Sequence, residues 1–259
     1  MTVLLEVREL SRAFGGVRAV DNVGFEVLEG EWVGIAGPNG AGKSTLLNCI
    51  SGVAGRTEGQ VIFRGTDITR LNPSRIGRSG IGRAFQTVDR FSDCTVADFV
   101  ALGRLADRNA SVWKSWLSMR SSLAKERAAH AAAHDALVRF GLARFEHLRM
   151  RETAYGVRKM IDVVRVIVGE PELMLLDEPT SGSSAHERVL LREMMASLRG
   201  GGTTALVVDH DIGFLSACSD RVVAMAAGRK IAEGPPADVF ADAEVVRSYL
   251  GEQTPGQVP

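Results

Sequence analysis

The stretch that most constrains this chain is GPNGAGKST, Gly37 to Thr45. It follows a short apolar run, Trp32 to Ala36, and leads into a second, Thr45 to Ile50, with the spacing of a helix start. Strand, glycine loop and helix in that order are the backbone context in which G-x-x-x-x-G-K-[ST] cradles phosphates. Gly37, Gly40 and Gly42 let the loop fold tightly enough to aim its amides inward, and the positive end of the following helix adds a fixed partial charge. Pro38, Asn39, Ala41 and Thr45 line the same cradle. Lys43 is placed to bridge the β- and γ-phosphates of ATP, and the Ser44 hydroxyl to coordinate Mg²⁺.

A phosphoryl-transfer site also needs a carboxylate at the end of a neighbouring buried strand, and ELMLLDEP supplies Asp177 and Glu178. Asp177 is placed for the Mg²⁺ shell, and Glu178 to polarise an attacking water as general base. Taken alone, two adjacent acids could equally be a solvated strand end. The glycine loop upstream favours the catalytic reading.

Strand patterns at residues 3 to 9 and 23 to 28, separated by Gly15 and Gly16, predict an antiparallel opening layer. Further strands are expected at Gln60 to Phe63, Ile81 to Phe85, Leu173 to Leu176, Ala205 to Val208 and Arg221 to Met225. Helical stretches between several of them predict a largely parallel sheet. Strand patterning stops between about residues 89 and 156, where Ser115 to Phe140 reads as one long helix rich in Ala, Leu, Arg and Lys. The expected organisation is an α/β core from residues 1–88 and 157–259, with a helical insert over 89–156 and a frayed tail from Gln253.

With 31 basic and 31 acidic side chains the chain has no net pull towards nucleic acid or an anionic bilayer. The basic cluster Arg75, Arg78 and Arg83 therefore reads as a solvated rim. Cys49, Cys94 and Cys218 lack the paired spacing of a zinc site or disulfide framework, which fits a reducing cytoplasm. The opening MTVLLEVREL lacks the basic start, apolar stretch and small-residue cleavage site expected of a signal peptide, and no apolar run approaches the ~20 residues of a membrane span. Any work at a membrane is expected to go through a partner.

Together these motifs resemble the ATP-binding subunits of ABC transporters over nearly the whole chain. The resemblance implies an α/β fold: a P-loop NTPase core of the ABC ATPase kind with a mostly parallel sheet, an N-terminal antiparallel β layer and an inserted helical subdomain. Phe14, in LSRAFGGVRAVDNV, matches the family's adenine-stacking aromatic, with Val20 packing beside it; a core Phe is the bland alternative. Gln86, in RAFQTVDRF, matches the Q-loop glutamine, which reaches Mg²⁺ or the attacking water and relays movement to the membrane subunits. His210, in LVVDHD, matches the histidine that contacts the γ-phosphate.

Within the family the chain is most similar to the cytoplasmic ATPase subunits of branched-chain amino acid importers. The similarity rests on RELSRAFGGVRAVDNV, the long insert between Gln86 and Tyr155, and the ending VVRSYLGE. It implies ATP hydrolysis that powers import of branched-chain amino acids or similar small polar solutes. The subunit is then cytoplasmic and peripheral on the inner face of the cell membrane. Its implied partners are a second ATP-binding subunit, two integral membrane permease subunits and, indirectly, a solute-binding protein, with no nucleic acid.

The family's signature, usually Leu-Ser-Gly-Gly-Gln, aligns with Thr153 to Val157. Ala154, Tyr155 and Gly156 give an Ala-Tyr-Gly centre that also occurs in the importer branch, so Thr153 and Val157 are the departures. This segment caps ATP held by the other subunit. After Glu178, Ser183 and Ser184 stand where the family normally has leucine followed by Asp or Asn. The expectation is an asymmetric heterodimer whose better site uses this chain's own loop; a homodimer, and a low-turnover or regulatory paralogue, are the alternatives. A P-loop kinase leaves Gln86, Gly156 and His210 unexplained. His130 and His134 are four apart, but Ala131 stands where a zinc protease has its glutamate, so they read as a solvated helix face. Trp113 and Trp116 are read as anchoring the insert to the core.

Overall fold

Alternating apolar residues build two strands, β1 (Val3–Phe14) and β2 (Val17–Leu28), which pair antiparallel across Gly15 and Gly16. Both run further than their alternation predicts. The β1–β2 register shifts between Val7 and Leu10 and again near Arg12, and Glu9 and Asn22 adopt positive φ. Each bulge changes which face a side chain takes, so a strand that continues reads as one that stops. The computed structural model describes residues 2–84, 91–105 and 119–250. With β4 (Glu58–Phe63) and β5 (Thr66–Asp67) the hairpin forms a four-stranded antiparallel sheet in the order β2-β1-β4-β5.

The second sheet contains β3 (Trp32–Ala36), β6 (Ile81–Arg83), β7 (Leu173–Asp177), β8 (Thr204–Val208), β9 (Arg221–Ala226) and β10 (Arg229–Gly234), in the order β10-β9-β3-β8-β7-β6. It is parallel from β9 to β6. Every residue of β3, β7 and β8 is buried, as the continuous apolar runs of a doubly covered parallel sheet require. β10 was not expected. It returns antiparallel from β9 through Ala227 and Gly228, both at positive φ, as in a tight primed turn. As an edge strand it bears Arg229, Lys230 and Glu233, and its two adjacent apolar residues, Ile231 and Ala232, give no alternation to read.

The described helices are α1 (Lys43–Ile50), α2 (Pro73–Ser79), α3 (Val96–Leu105), α4 (Met119–Arg139), α5 (Tyr155–Val168), α6 (Ala185–Gly200), α7 (Ile212–Cys218), α8 (Pro236–Ala241) and α9 (Ala243–Leu250). Two apolar clusters cover the parallel sheet. On one face Leu173, Leu175, Leu206 and Val208 join Leu5, Val20, Leu46 and Leu47. On the other Met174, Leu176 and Val207 join Phe99, Leu137, Met150 and Val164, so α3 and α4 share a core with the sheet through α5. The two sets alternate along each strand, the period-2 rule at work.

His130 faces Asp98 at 3.6 Å and His134 faces Glu146 at 2.8 Å, so each imidazole lies beside a carboxylate. Trp113, Trp116 and the tail from Gln253 lie outside the described residues. No helix among the described residues is long and apolar enough to cross a membrane.

Candidate functional site

Strands β3, β8, β7 and β6 lie side by side and parallel, so their C-terminal ends share one edge of the sheet. Ligands of open α/β sheets bind along that edge. The glycine loop leaves β3, His210 follows β8, Asp177 ends β7 with Glu178 next, and Arg83 ends β6. Register brings them level, because Ile35 and Asp177 both pair with Val208. Gln86, three residues beyond β6, lies outside the described residues.

The loop's shape is enforced by main chain. A Cβ on Gly37 would lie 2.2 Å from the Met225 carbonyl, and one on Gly42 would lie 2.0 Å from that of Ala19. Around Gly40, at φ +75°, there is open space. Ala41 is buried, while Asn39 and Gly40 are exposed to whatever the loop holds. The buried Lys43 donates from Nζ to the Gly37 and Pro38 carbonyls at 2.7 and 2.8 Å, folding its charge over the loop. Ser44 and Thr45 open α1, whose first turn carries no acidic side chain against the dipole. From the far end of the chain, the Tyr249 hydroxyl accepts the Gly37 N–H at 2.7 Å.

Ser44 Oγ donates to Asp177 Oδ1 at 3.2 Å, so the two oxygen donors converge. Oxygen ligands suit a hard cation such as Mg²⁺, which keeps waters and takes phosphate oxygens to complete its shell. Among the described residues no group of three or more His, Cys, Asp or Glu could hold a metal ion; the oxygen donors of Ser44 and Asp177 by themselves suit a hard cation whose remaining ligands come from water and nucleotide. Arg83 corrects the solvated-rim expectation: its side chain is 15% exposed and donates to Asp177 Oδ2 at 3.1 Å. Burial lowers the guanidinium's pKa from its ordinary value, opposed by the charge of Asp177.

Glu178 adopts φ +47° and its N–H is held by the Val208 carbonyl at 2.8 Å. For a non-glycine residue that conformation stores about 1–3 kcal/mol, a cost that clusters at functional sites. His210 is exposed, with Nδ1 3.6 Å from Asp209 Oδ1. Asp209 itself is fully buried and accepts from the N–H groups of Thr180, His210 and Asp211 and from the Thr180 hydroxyl. It ties the segment bearing Glu178 to the one bearing His210. Sequence reasoning passed over Asp209, Thr180 and Tyr249 and placed Arg83 on a solvated rim; adjacency to His210 in VVDHD was the one local signal among them.

Phe14 ends β1 half exposed, with the Arg12 guanidinium 4.6 Å from its ring centroid. It is therefore no core Phe. Val20 is fully buried and belongs to the sheet packing beneath. In the signature segment Ala154 and Tyr155 are exposed, whereas Thr153, Gly156 and Val157 are buried. The Thr153 hydroxyl is spent on the Met150 carbonyl at 2.8 Å, and Val157 packs in the larger apolar cluster. Both departures thus face inward. Ser184 caps α6, accepting the Glu187 N–H while the Glu187 carboxylate accepts the Ser184 N–H, which is the work an Asp or Asn would do there. A cleft of about 520 Å³ lies away from the loop, between the end of α4 with the residues that follow it, the start of α5 and the length of α6 from Ser184 to Ser197.

The ABC transporter family pattern matches residues 20–181, and the pattern of the branched-chain amino acid ATP-binding cassette transporter matches residues 229–254. The chain is 33% identical to the high-affinity branched-chain amino acid transport ATP-binding protein LivG of Escherichia coli K12, over 96% of this chain and 98% of that one. It is 31% identical to the corresponding BraF protein of Pseudomonas aeruginosa, over the same shares. Among solved structures, the ADP conformation of an ATP-binding cassette of an ABC transporter superposes with a TM-score of 0.81 at 27% identity, covering 97% of this chain and 100% of that one. With its phosphate loop, acidic strand end and exposed histidine on one sheet edge, the chain belongs to the ABC transporter family as an ATP-binding, ATP-hydrolysing subunit.

Proposed function

We propose that this subunit powers an importer of branched-chain amino acids or similar small polar solutes from the inner face of the cell membrane. The C-terminal element over residues 229–254 carries the assignment, because its pattern is named for cassettes of that branch. Residues 1–88 and 157–259 form the nucleotide core, and 89–156 pass movement to two permease subunits. A solute-binding protein delivers the cargo.

In this reading Phe14 stacks on adenine and the loop amides from Gly37 to Thr45 receive the phosphates. Lys43 swings from the Gly37 and Pro38 carbonyls to the β- and γ-phosphate oxygens. Glu178 takes a proton from the water that attacks the γ-phosphorus in line, the bond to the β-γ bridging oxygen breaks, and ADP and phosphate leave. His210 donates to the γ-phosphate, and Gln86 orients the water. Mg²⁺ held by Ser44, Asp177 and Gln86 would neutralise charge building on the phosphate oxygens. Ala154, Tyr155 and Gly156 cap ATP bound by a second, different ATP-binding subunit, whose own signature completes this chain's site.

Co-purification from detergent-solubilised membranes should recover two permease subunits and a second ATPase, and the reconstituted complex should take up leucine with ATP. A monomer without a membrane fraction would sink the importer. Whether the two sites are equal is tested by Lys43→Ala against the matching change in the partner: with Thr153 and Val157 turned inward and Ser184 capping α6, the two changes should cost similar ATPase activity, and a much larger loss from Lys43→Ala would show that this chain lends its partner an impaired signature.

A further inference from the structure

Asp177 is nearly sealed, with a side chain 2% exposed, and both of its oxygens are engaged, Oδ1 by Ser44 and Oδ2 by Arg83. Arg83 is held from two further directions. Its guanidinium donates to the Ser51 hydroxyl at the C-cap of α1, and its backbone carbonyl accepts from Arg165 Nη2 at 2.7 Å. Arg165 stands on α5, the helix that begins with Tyr155 and Gly156, and its Nε donates to Asp162 Oδ1 at 2.7 Å. Its guanidinium also lies 5.6 Å from the Phe99 ring centroid on α3. A buried line of contacts therefore runs from Phe99 and the signature helix through Arg165 and Arg83 to Asp177 and Ser44.

A carboxylate this deeply buried is costly without a counter-charge. Mg²⁺ supplies one only while nucleotide is bound. We propose that Arg83 is the resident counter-ion of Asp177, standing in for the divalent cation in the metal-free state, and that Arg165 ties this ion pair to the helical insert. The inference rests on the Mg²⁺ role given above to Ser44 and Asp177. Two consequences follow from charge. Arg83 keeps the metal-free site folded and oriented, and its positive charge beside Asp177 opposes an incoming cation. A displacement of α5 that draws the Arg83 main chain with it changes that opposition, linking the insert to metal affinity by a route separate from Gln86.

The test is a Mn²⁺ titration read by electron paramagnetic resonance on full-length protein saturated with a non-hydrolysable ATP analogue, with thermal unfolding of the metal-free protein alongside. Arg83→Met should melt lower without metal yet bind Mn²⁺ at least about 5-fold more tightly, since a nearby repelling charge is gone. Arg83→Lys keeps the charge and should stay within about 2-fold of wild type. Arg165→Met should tighten Mn²⁺ binding by about 2-fold, and in combination with Arg83→Met should add nothing further, because both cut the same link. A lower melting temperature with unchanged or weaker Mn²⁺ binding in Arg83→Met reduces Arg83 to a packing role and overturns the proposal. An Arg165→Met protein with wild-type Mn²⁺ affinity removes the connection to the insert. Should Arg83→Met fail to fold, Arg83→Gln, which keeps hydrogen-bonding groups without the charge, takes its place: tighter Mn²⁺ binding than wild type supports the counter-ion role, and unchanged or weaker binding overturns it. If Ser44→Ala leaves Mn²⁺ affinity intact, the metal role itself fails, a result separate from any Arg83 effect.

Discussion

The phosphate loop and the signature segment are both glycine motifs at the start of a helix, yet their glycines are required for different reasons. At Gly37 and Gly42 the obstacle to a side chain is the main chain of Met225 and Ala19, which belongs to paired strands and cannot move aside. At Gly156 the obstacle is the Glu187 carboxylate, 2.5 Å from a built Cβ and at the far end of a flexible side chain. The signature departures, Thr153 and Val157, are turned into the interior, where shape matters more than hydrogen-bonding character. Positions set by neighbouring backbone admit one residue type; positions set by neighbouring side chains admit several.

The hardest blow to that comparison comes from Gly42→Ala. Its Cβ must displace either the loop or β2, and φ +97° strains it further. Loss of the aligned loop amides should weaken ATP by about 100-fold or more, equivalent to about 2.8 kcal/mol, in a fluorescent-nucleotide titration. An affinity within about 10-fold of wild type would mean that the loop relaxes as freely as the signature segment. Tyr249→Phe probes the same loop from outside. Removing the hydroxyl that accepts the Gly37 N–H should cost about 0.5–1.5 kcal/mol, or roughly 2- to 10-fold in ATP affinity. Unchanged affinity would show that α9 does not brace the loop.

These contacts also mark what was legible in the sequence. β3, β7 and β8 are continuous apolar runs because both faces are covered, and the phosphate loop announces itself because its chemistry and backbone demand the same few residues. Arg83 was misread because its partner Asp177 is 94 residues away, and only the sheet order, which brings β6 beside β7, shows that the guanidinium points inward. Tyr249 reaches Gly37 across 212 residues for the same reason. β1 and β2 were cut short by bulges that reverse the alternation. Thr153 and Val157 stand out as departures because a motif comparison scores identity without knowing which side chains face inward.

Gly156→Ala should separate stability from binding. The added methyl pushes the Glu187 carboxylate off the Ser184 N–H, breaking the reciprocal cap of α6 at a cost of about 0.5–2 kcal/mol, while this chain's own ATP affinity holds. The pH dependence identifies the cause. The Ser184 main-chain hydrogen bond, followed by its hydroxyl, holds the Glu187 carboxyl below its ordinary pKa. A lowered folded value means the stabilisation is present above the unfolded pKa of about 4.3 and is lost as pH falls through the folded one. The melting-temperature gap between wild type and Gly156→Ala should therefore be full at pH 7 and narrow below about pH 4. A gap independent of pH would place the cost elsewhere than at Glu187.

The smallest effect expected is the most pointed test of the region's tolerance. Ser184 stands where the family normally has Asp or Asn, and its side chain accepts the Glu187 N–H at 3.3 Å. Asn, Asp and Ser cap helices about equally well, so Ser184→Asn should change stability by no more than about 0.5 kcal/mol, whereas Ser184→Ala should cost about 1 kcal/mol. Both are read by denaturant unfolding with the slope held constant, so that a shifted midpoint reports stability alone. A loss from Ser184→Asn matching that from Ser184→Ala would mean that the hydroxyl is needed for something other than the cap. The tolerance inferred for this side of the site would then end at Ser184, one residue before α6 begins.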